Sequence, residues 1–156
     1  MTSVAHLLHA KGRAVWSIPP DASVYEAIKL MADKGVGALL VMEGQRLVGI
    51  VSERDYARKV ILQGKSSRDT PVREIMTDKV FYVRPDQTVE DCMALMTAQR
   101  IRHLPVLDDD RVIGVVSIGD LVRAVISEQE VRIQQLEQYI MADEARHCSS
   151  SNVAVS

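Results

Sequence analysis

Aromatic side chains make up only 4% of the 156 residues. The stacking platforms that hold single-stranded nucleic acid are therefore scarce. Charge of one sign is missing too: 19 Lys and Arg face 21 Asp and Glu, a formal net charge of −2. That balance gives no footprint for gripping a polyanion, and nucleic acid is excluded as the expected partner. Long apolar runs are absent, since the stretches at 36–42 and 112–117 fall far short of the roughly 20 residues a membrane helix needs. The start of the chain has no charged flank followed by an apolar block and a small-residue cleavage site, so the expected location is the cytoplasm, with no membrane partner. Two cysteines, Cys92 and Cys148, make neither a disulfide framework nor a C-x-x-C metal knuckle.

What the chain does have is a duplication. Shifted by 65 residues, positions 15–61 align with 80–126 without a gap, and 16 of the 47 pairs are identical. The shared frame includes Pro20, Asp21, Leu39, Val41, Gly49, Ser52 and Asp55, answered by Pro85, Asp86, Leu104, Val106, Gly114, Ser117 and Asp120.

Within each copy a short β segment precedes a Pro-Asp pair. Ser23 with Glu26, and Thr88 with Asp91, then form capping boxes that open a helix. Val24, Ala27, Ile28 and Met31, like Val89, Cys92, Met93 and Met96, follow the i, i+3, i+4, i+7 stripe of a half-buried helix. Two β runs joined by a three-residue loop come next, at 43–45 and at 108–110, and a second helix begins near Asp55 and near Asp120. The expected fold class is α+β, a tandem β-α-β-β-α repeat. A unit of about 60 residues buries too little surface to be stable alone, so the two copies are expected to pack as one body by pseudo-two-fold symmetry.

The expected organisation is an N-terminal segment at 1–14, repeat one at 15–62, a linker and lead-in at 63–79, repeat two at 80–126, a C-terminal helix at 127–148 and a disordered tail at 149–156. Ile126, Ile133 and Ile140 recur every seven residues in the last helix. Leu136 fits the d position of that heptad and Gln129 breaks it. Two readings stay open for this helix, one in which it lies on its own domain and one in which it forms a dimer seam.

The strongest local signal is the pair of segments Gly-Ile-Val-Ser-Glu-Arg-Asp at 49–55 and Gly-Val-Val-Ser-Ile-Gly-Asp at 114–120, each where a buried strand meets a helix. Ser and Asp at this spacing are a helix cap. The same geometry offers N–H groups and a hydroxyl to a phosphate, and a carboxylate to sugar hydroxyls. Glycine on the preceding strand lets another group approach the backbone.

These frames resemble the paired CBS domain module, named for the regulatory region of cystathionine β-synthase. The lead-in at 72–77 and the Arg-His-Leu-Pro-Val run at 102–106 add to the likeness, which covers about residues 15–126. The resemblance implies two clefts between the repeats that bind adenosine compounds: AMP, ATP or NAD(H). It assigns phosphate and ribose to Ser52 with Asp55 and to Ser117 with Asp120. The adenine edge falls to the backbone of Ser17 with Ile18 and of Tyr82 with Val83, and the base lining to Val36, Gly37, Ala38 and, in copy two, Pro105. Arg54, Arg102 and His103 would reach the phosphates, although read alone Arg54 is a solvated charge and His103 a core histidine. Gly37 and Ala38 stand opposite Arg102 and His103, and Gly119 opposite Arg54, so the clefts are expected to differ.

Catalysis is not expected. Cys92 repeats the apolar position of Ala27, where a thiol is inert. His6, His9 and His147 have no metal spacing, and no Walker loop or nucleophile elbow occurs. The resemblance therefore implies a regulatory nucleotide sensor acting in signal transduction, a homodimer, with an unidentified protein effector. The alternative is an interaction module whose nucleotide is structural.

Overall fold

The computed structural model describes residues 2–151, with side chains described as far as residue 143. Repeat one runs β1 (Ser17–Ile18), α2 (Val24–Lys34), β2 (Ala38–Glu43), β3 (Arg46–Ser52) and α3 (Glu53–Tyr56), and α3 continues as a π-helical turn over Ala57–Ile61. Repeat two runs α4 (Val89–Gln99), β4 (His103–Asp108), β5 (Arg111–Ser117) and α5 (Ile118–Ser151), and α1 (Val4–Lys11) precedes both repeats. The α+β tandem repeat is thus the observed fold. Both hairpins have the same register: Ala38 opposes Ser52 as His103 opposes Ser117, and each carries a bulge at the same place, Val41/Met42 and Val106/Leu107.

The capping signals are met in full at Thr88 and Asp91, which close a reciprocal box, and in half at Ser23, whose hydroxyl accepts from the Glu26 N–H at 3.1 Å without a return bond to the Glu26 side chain. Helix α2 ends on Gly35 in the left-handed region at φ 65°, and α4 ends on Arg100 at φ 56°, a conformation that costs a non-glycine residue roughly 1 kcal/mol.

One expected element is reduced. In repeat one β1 runs parallel to β2, and Leu40 N–H donates to the Trp16 carbonyl at 3.2 Å. Repeat two has Pro105 at the position of Leu40, and proline has no N–H to give. Its first strand shrinks to a single parallel bridge, Val83 to Val106, held by Val83 N–H to the Pro105 carbonyl and Leu107 N–H to the Val83 carbonyl.

The segments outside the repeats are not loose connections. Val72 and Ile75, within the segment read as a lead-in to copy two, are fully buried in the core of repeat one with Val24, Ala27, Met31, Leu39, Val41 and Val51. The core of repeat two is completed instead by Val4, Leu7 and Leu8 of α1. Backbone pairing repeats the exchange, with Val24 N–H donating to the Thr70 carbonyl and Val72 N–H to Ala22, as Val89 N–H donates to Thr2 and Val4 N–H to Gln87. The duplication therefore extends beyond its ungapped frame, at a spacing of 68: Thr2, Val4, Leu8 and Lys11 answer Thr70, Val72, Met76 and Lys79. Each fully buried aliphatic side chain contributes about 1.5–3 kcal/mol, which ties both segments down.

Of the two readings left open for the last helix, the first, in which it lies on its own domain, holds only for the start of α5. Leu121 is buried in the core, but from residue 129 to 143 every residue is exposed. Residues 152–156 of the expected tail lie outside the described residues, and 149–151 are helical.

Candidate functional site

Two clefts open between the repeats, and each draws its walls from both. The first, about 320 Å³, is lined by Trp16 and residues 35–40 of repeat one, by Ser117, Asp120 and Arg123 of repeat two, and by Lys11. The second, about 880 Å³, joins Ser52, Arg54, Asp55, Arg58 and Lys59 of repeat one to Lys79, Val80, Phe81 and residues 99–103 of repeat two. Gly37, Ala38, Ile50 and His103 border both.

Strand-to-helix corners set the acidic groups. Ser52 N–H donates to Asp55 Oδ2 at 2.9 Å while the Asp55 N–H donates back to Ser52 Oγ at 3.2 Å, and Ser117 with Asp120 repeats this at 2.8 and 3.3 Å. Both are complete capping boxes. The cations around them differ. Asp55 pairs with Lys59 at 3.1 Å, one turn along its own helix. Asp120 is only 7% exposed and takes two cations, Lys11 Nζ on Oδ2 and Arg123 Nη2 on Oδ1, each at 2.6 Å. Burial pushes the Asp120 carboxyl up, but the hydrogen bonds from Lys11 and Ser117 and the Lys11 charge outweigh it, holding the group below the ordinary carboxylate value. Burial is also the first cause of the lowered His103 pKa; Lys11 and Arg102 add to it and Asp120 opposes it.

The structure brings Val36, Gly37, Ala38, His103, Ser117 and Asp120 to the first cleft, and Gly37, Ala38, Ser52, Arg54, Asp55, Arg102 and His103 to the second. Five expected residues lie elsewhere. Ser17 and Ile18 flank the first cleft without lining it, Ser17 exposed and Ile18 in the core, and Trp16 forms the wall one residue earlier. Val83 is fully buried, and Tyr82 lies half exposed in a separate surface groove with Arg46 and Asp110; Phe81, the counterpart of Trp16, takes their place. Pro105 is a core residue of β4 and lines neither cleft.

The strand glycines do let another group approach the backbone. What approaches Gly49 and Gly114 is the chain itself: a β-carbon at Gly49 would meet Met76 Sδ at 2.6 Å and the Thr77 carbonyl at 3.0 Å, and one at Gly114 would meet Leu8 Cδ2 at 2.7 Å. Sequence reasoning also missed Lys11, Arg58, Lys59, Lys79, Arg100 and Arg123. Lys11 and Lys79 were findable, since they repeat at the 68-residue spacing.

The CBS domain family matches this chain twice, over residues 12–61 and 72–127. The chain belongs to the CBS domain family. It is 45% identical over 149 residues to the Arabidopsis thaliana mitochondrial CBS domain-containing protein CBSX3, covering 89% of this chain and 72% of that one. Among solved structures it is similar to a candidate signal-transduction protein with CBS domains from Burkholderia ambifaria MC40-6, at TM-score 0.80 and 57% identity, over 82% of this chain and 96% of that one. It also resembles the CBS domain pair of protein MJ0100, solved with 5-methylthioadenosine and S-adenosyl-L-methionine, at TM-score 0.73 and 28% identity, over 82% of this chain and 98% of that one. The protein is thus a CBS domain pair whose relatives include a binder of adenosine-containing ligands. Among the described residues no helix is long and apolar enough to cross a membrane, and no group of His, Cys, Asp and Glu could hold a metal ion.

Proposed function

We propose that this CBS pair is a regulatory, non-enzymatic sensor of an adenosine nucleotide, AMP, ATP or NAD(H), that works in the cytoplasm and transmits occupancy through the arrangement of a homodimer to a separate protein effector. The observation that carries the reading is the composition of the second cleft. Arg54, Arg58, Lys79, Arg100 and Arg102 meet there beside Asp55 and the apolar wall of Val80, Phe81 and Ile101. No carboxylate among the described residues pairs with any of those five cations. An apolar wall for a base, an acid for a diol and unneutralised cations for phosphates fit a nucleotide. The adenosine ligands of the MJ0100 pair support the same choice of base.

Helix α5 supports the dimer. Ile118, Val122, Ile126, Ile133, Leu136 and Ile140 fall on one face at 100° per residue, and all six are exposed. With the isoleucines at a, Arg132 is a g residue and Glu137 the following e residue. That pair attracts across a parallel two-stranded seam, whereas antiparallel pairing would set the e-position glutamates Glu130 and Glu137 against each other. A ligand that fits one dimer arrangement better than another shifts the population between them, and this is the signal.

A thermal scan tests the reading. Ligand at 100 times its dissociation constant adds about 2.7 kcal/mol, a rise of roughly 5–11 °C for a chain of this size. AMP, ATP or NAD is expected to produce it and guanosine nucleotides less. No shift with any adenosine nucleotide at millimolar concentration overturns the proposal.

A further inference from the structure

The two clefts hold their cations differently, and the difference at the first points to a ligand. A carboxylate has about four acceptor positions. On Asp120 three are taken, Oδ2 by Ser117 N–H and the Lys11 ammonium and Oδ1 by Arg123. A vicinal diol needs two. The Ser117 N–H is fixed backbone, so a ribose can bind Asp120 only by displacing at least one cation. Lys11 also donates to the Val115 carbonyl, and its ammonium lies at the cleft wall whether or not it holds Asp120. Arg123 has a side chain 73% exposed, and its Nη1 lies 3.5 Å from where a β-carbon on Gly119 would stand. Gly119 is the counterpart of Arg54. The guanidinium of Arg123 therefore lies against the point where a side chain at the Arg54-equivalent position would begin.

We propose that Lys11 and Arg123 form a phosphate subsite of the first cleft, released from Asp120 by the ribose and taken up by the phosphate of the same ligand. This rests on the reading of the clefts as adenosine sites and adds which adenosine compounds the first one takes. A nucleoside must expel a cation from a nearly buried carboxylate and offers it nothing, while a nucleotide offers it a phosphate. The first cleft thus selects phosphorylated adenosine by exchanging one ion pair for another, and Lys11 is the residue that sets the selectivity. Lys79, at the matching position of the second cleft, sits 5.7 Å from the Phe81 ring centroid with no carboxylate partner among the described residues, and Asp55 there is held by Ser52 and Lys59 of its own helix corner, so the release of Lys11 has no counterpart at Lys79.

Trp16 is the only tryptophan of the chain and lines the first cleft only, so its fluorescence reads that cleft in the presence of the other. Wild-type protein, Lys11→Met and Lys11→Arg are titrated with AMP and with adenosine, and a melting curve of each variant checks that it is folded. In Lys11→Met, AMP affinity is expected to fall about tenfold or more while adenosine affinity holds or rises; Lys11→Arg is expected to keep the preference for AMP. Equal loss of both ligands, or an unchanged ratio, overturns the proposal. If Lys11→Met does not fold, Lys11→Gln is read in the same way. Wild-type protein that takes neither compound overturns the adenosine reading of the clefts together with this one, whereas wild-type binding with an unchanged ratio in the variant overturns this one alone.

Discussion

Leu8 rests on Gly114 as Met76 rests on Gly49. In each case a side chain from a segment outside the repeat frame seats where the third-strand glycine leaves no β-carbon, 2.7 Å from that missing atom for Leu8 Cδ2 and 2.6 Å for Met76 Sδ. The glycine of the Gly-x-x-Ser corner is thus a packing device on the strand that leads into the corner. It holds α1 and the 72–77 segment against the repeats, and these segments deliver Lys11 and Lys79 to the clefts.

Gly49→Ala is therefore expected to destabilise more than Gly114→Ala. At Gly49 the new methyl also meets the Thr77 carbonyl at 3.0 Å, which is backbone hydrogen-bonded to Ile50, whereas at Gly114 its three nearest atoms all belong to the Leu8 side chain. Overpacking costs typically 1–3 kcal/mol, and Gly49→Ala is placed in the upper part of that range and Gly114→Ala near the bottom. Urea unfolding midpoints give the order; the reverse order would refute this account of the two glycines.

The chemistry of the corners separates from their capping role in Asp55→Asn and Asp120→Asn. Asp55→Asn weakens a cap and a partly exposed Lys59 pair, an expected stability cost of a few tenths to about 1 kcal/mol. Asp120→Asn removes the carboxylate that Lys11 and Arg123 share in a nearly buried setting, an expected cost of about 1.5–3 kcal/mol. If each Asp grips a ribose, nucleotide affinity at its own cleft falls about ten- to a hundredfold as well. Calorimetric titrations with AMP decide this: unchanged isotherms in both variants beside lowered melting temperatures would leave the corners as helix caps only.

The parts of the fold that repeat were legible in the sequence. The capping pairs, the helical stripes that bury Val24, Ala27 and Met31, and the hairpin loops are local, and the duplication supplies a second copy against which to check each. Cys92 illustrates it: the stripe places it in the core, and burial pushes its thiol up to about 11. What escaped depends on distance along the chain. Lys11 and Asp120 are brought together only because α1 completes the core of repeat two, and no periodicity within a window reports such an exchange. Trp16 as a wall of the first cleft was not legible, because a two-residue strand hardly encodes which neighbour faces inward. The loss of β1's counterpart was readable from Pro105 opposite Leu40, since a missing N–H breaks a parallel rung.

His103 predicts a pH dependence of stability. Burial lowers its proton affinity below the ordinary value of 6.5, with Lys11 and Arg102 acting in the same sense and Asp120 against it. As pH falls through 6.5 the unfolded chain takes up a proton that the folded chain refuses. The contribution of neutral His103 is therefore complete above that pH and is lost between 6.5 and the lower folded value. Asp120 acts further down, its contribution being lost as pH falls from the ordinary carboxylate value of 3.8 through its depressed folded one. Melting temperatures are expected to drop between pH 7 and pH 5.5 in the wild type and to drop less in His103→Gln; parallel curves would remove His103 from the account.

The exposed stripe of α5 yields the last expectation. Leu136 and Ile133 are exposed on α5, so Leu136→Asp and Ile133→Asp leave monomer stability within about 0.5 kcal/mol. If the stripe is a parallel seam, each substitution buries two unpaired charges in the dimer, one per chain, and dissociation is expected to strengthen a hundredfold or more, read by light scattering across a dilution series. Charge tests the direction. Arg132→Glu sets like charges at the g-to-e contact and weakens association, and adding Glu137→Arg restores it, because the pair is then reversed but still attractive. In an antiparallel seam g positions face g and e positions face e, so Arg132 and Glu137 are not partners and the double exchange would not rescue a single one. Gln129→Leu repairs the broken d position and is expected to tighten the dimer. A chain that stays dimeric in Leu136→Asp, or whose association ignores the charge exchange, would place the dimer contact somewhere other than α5.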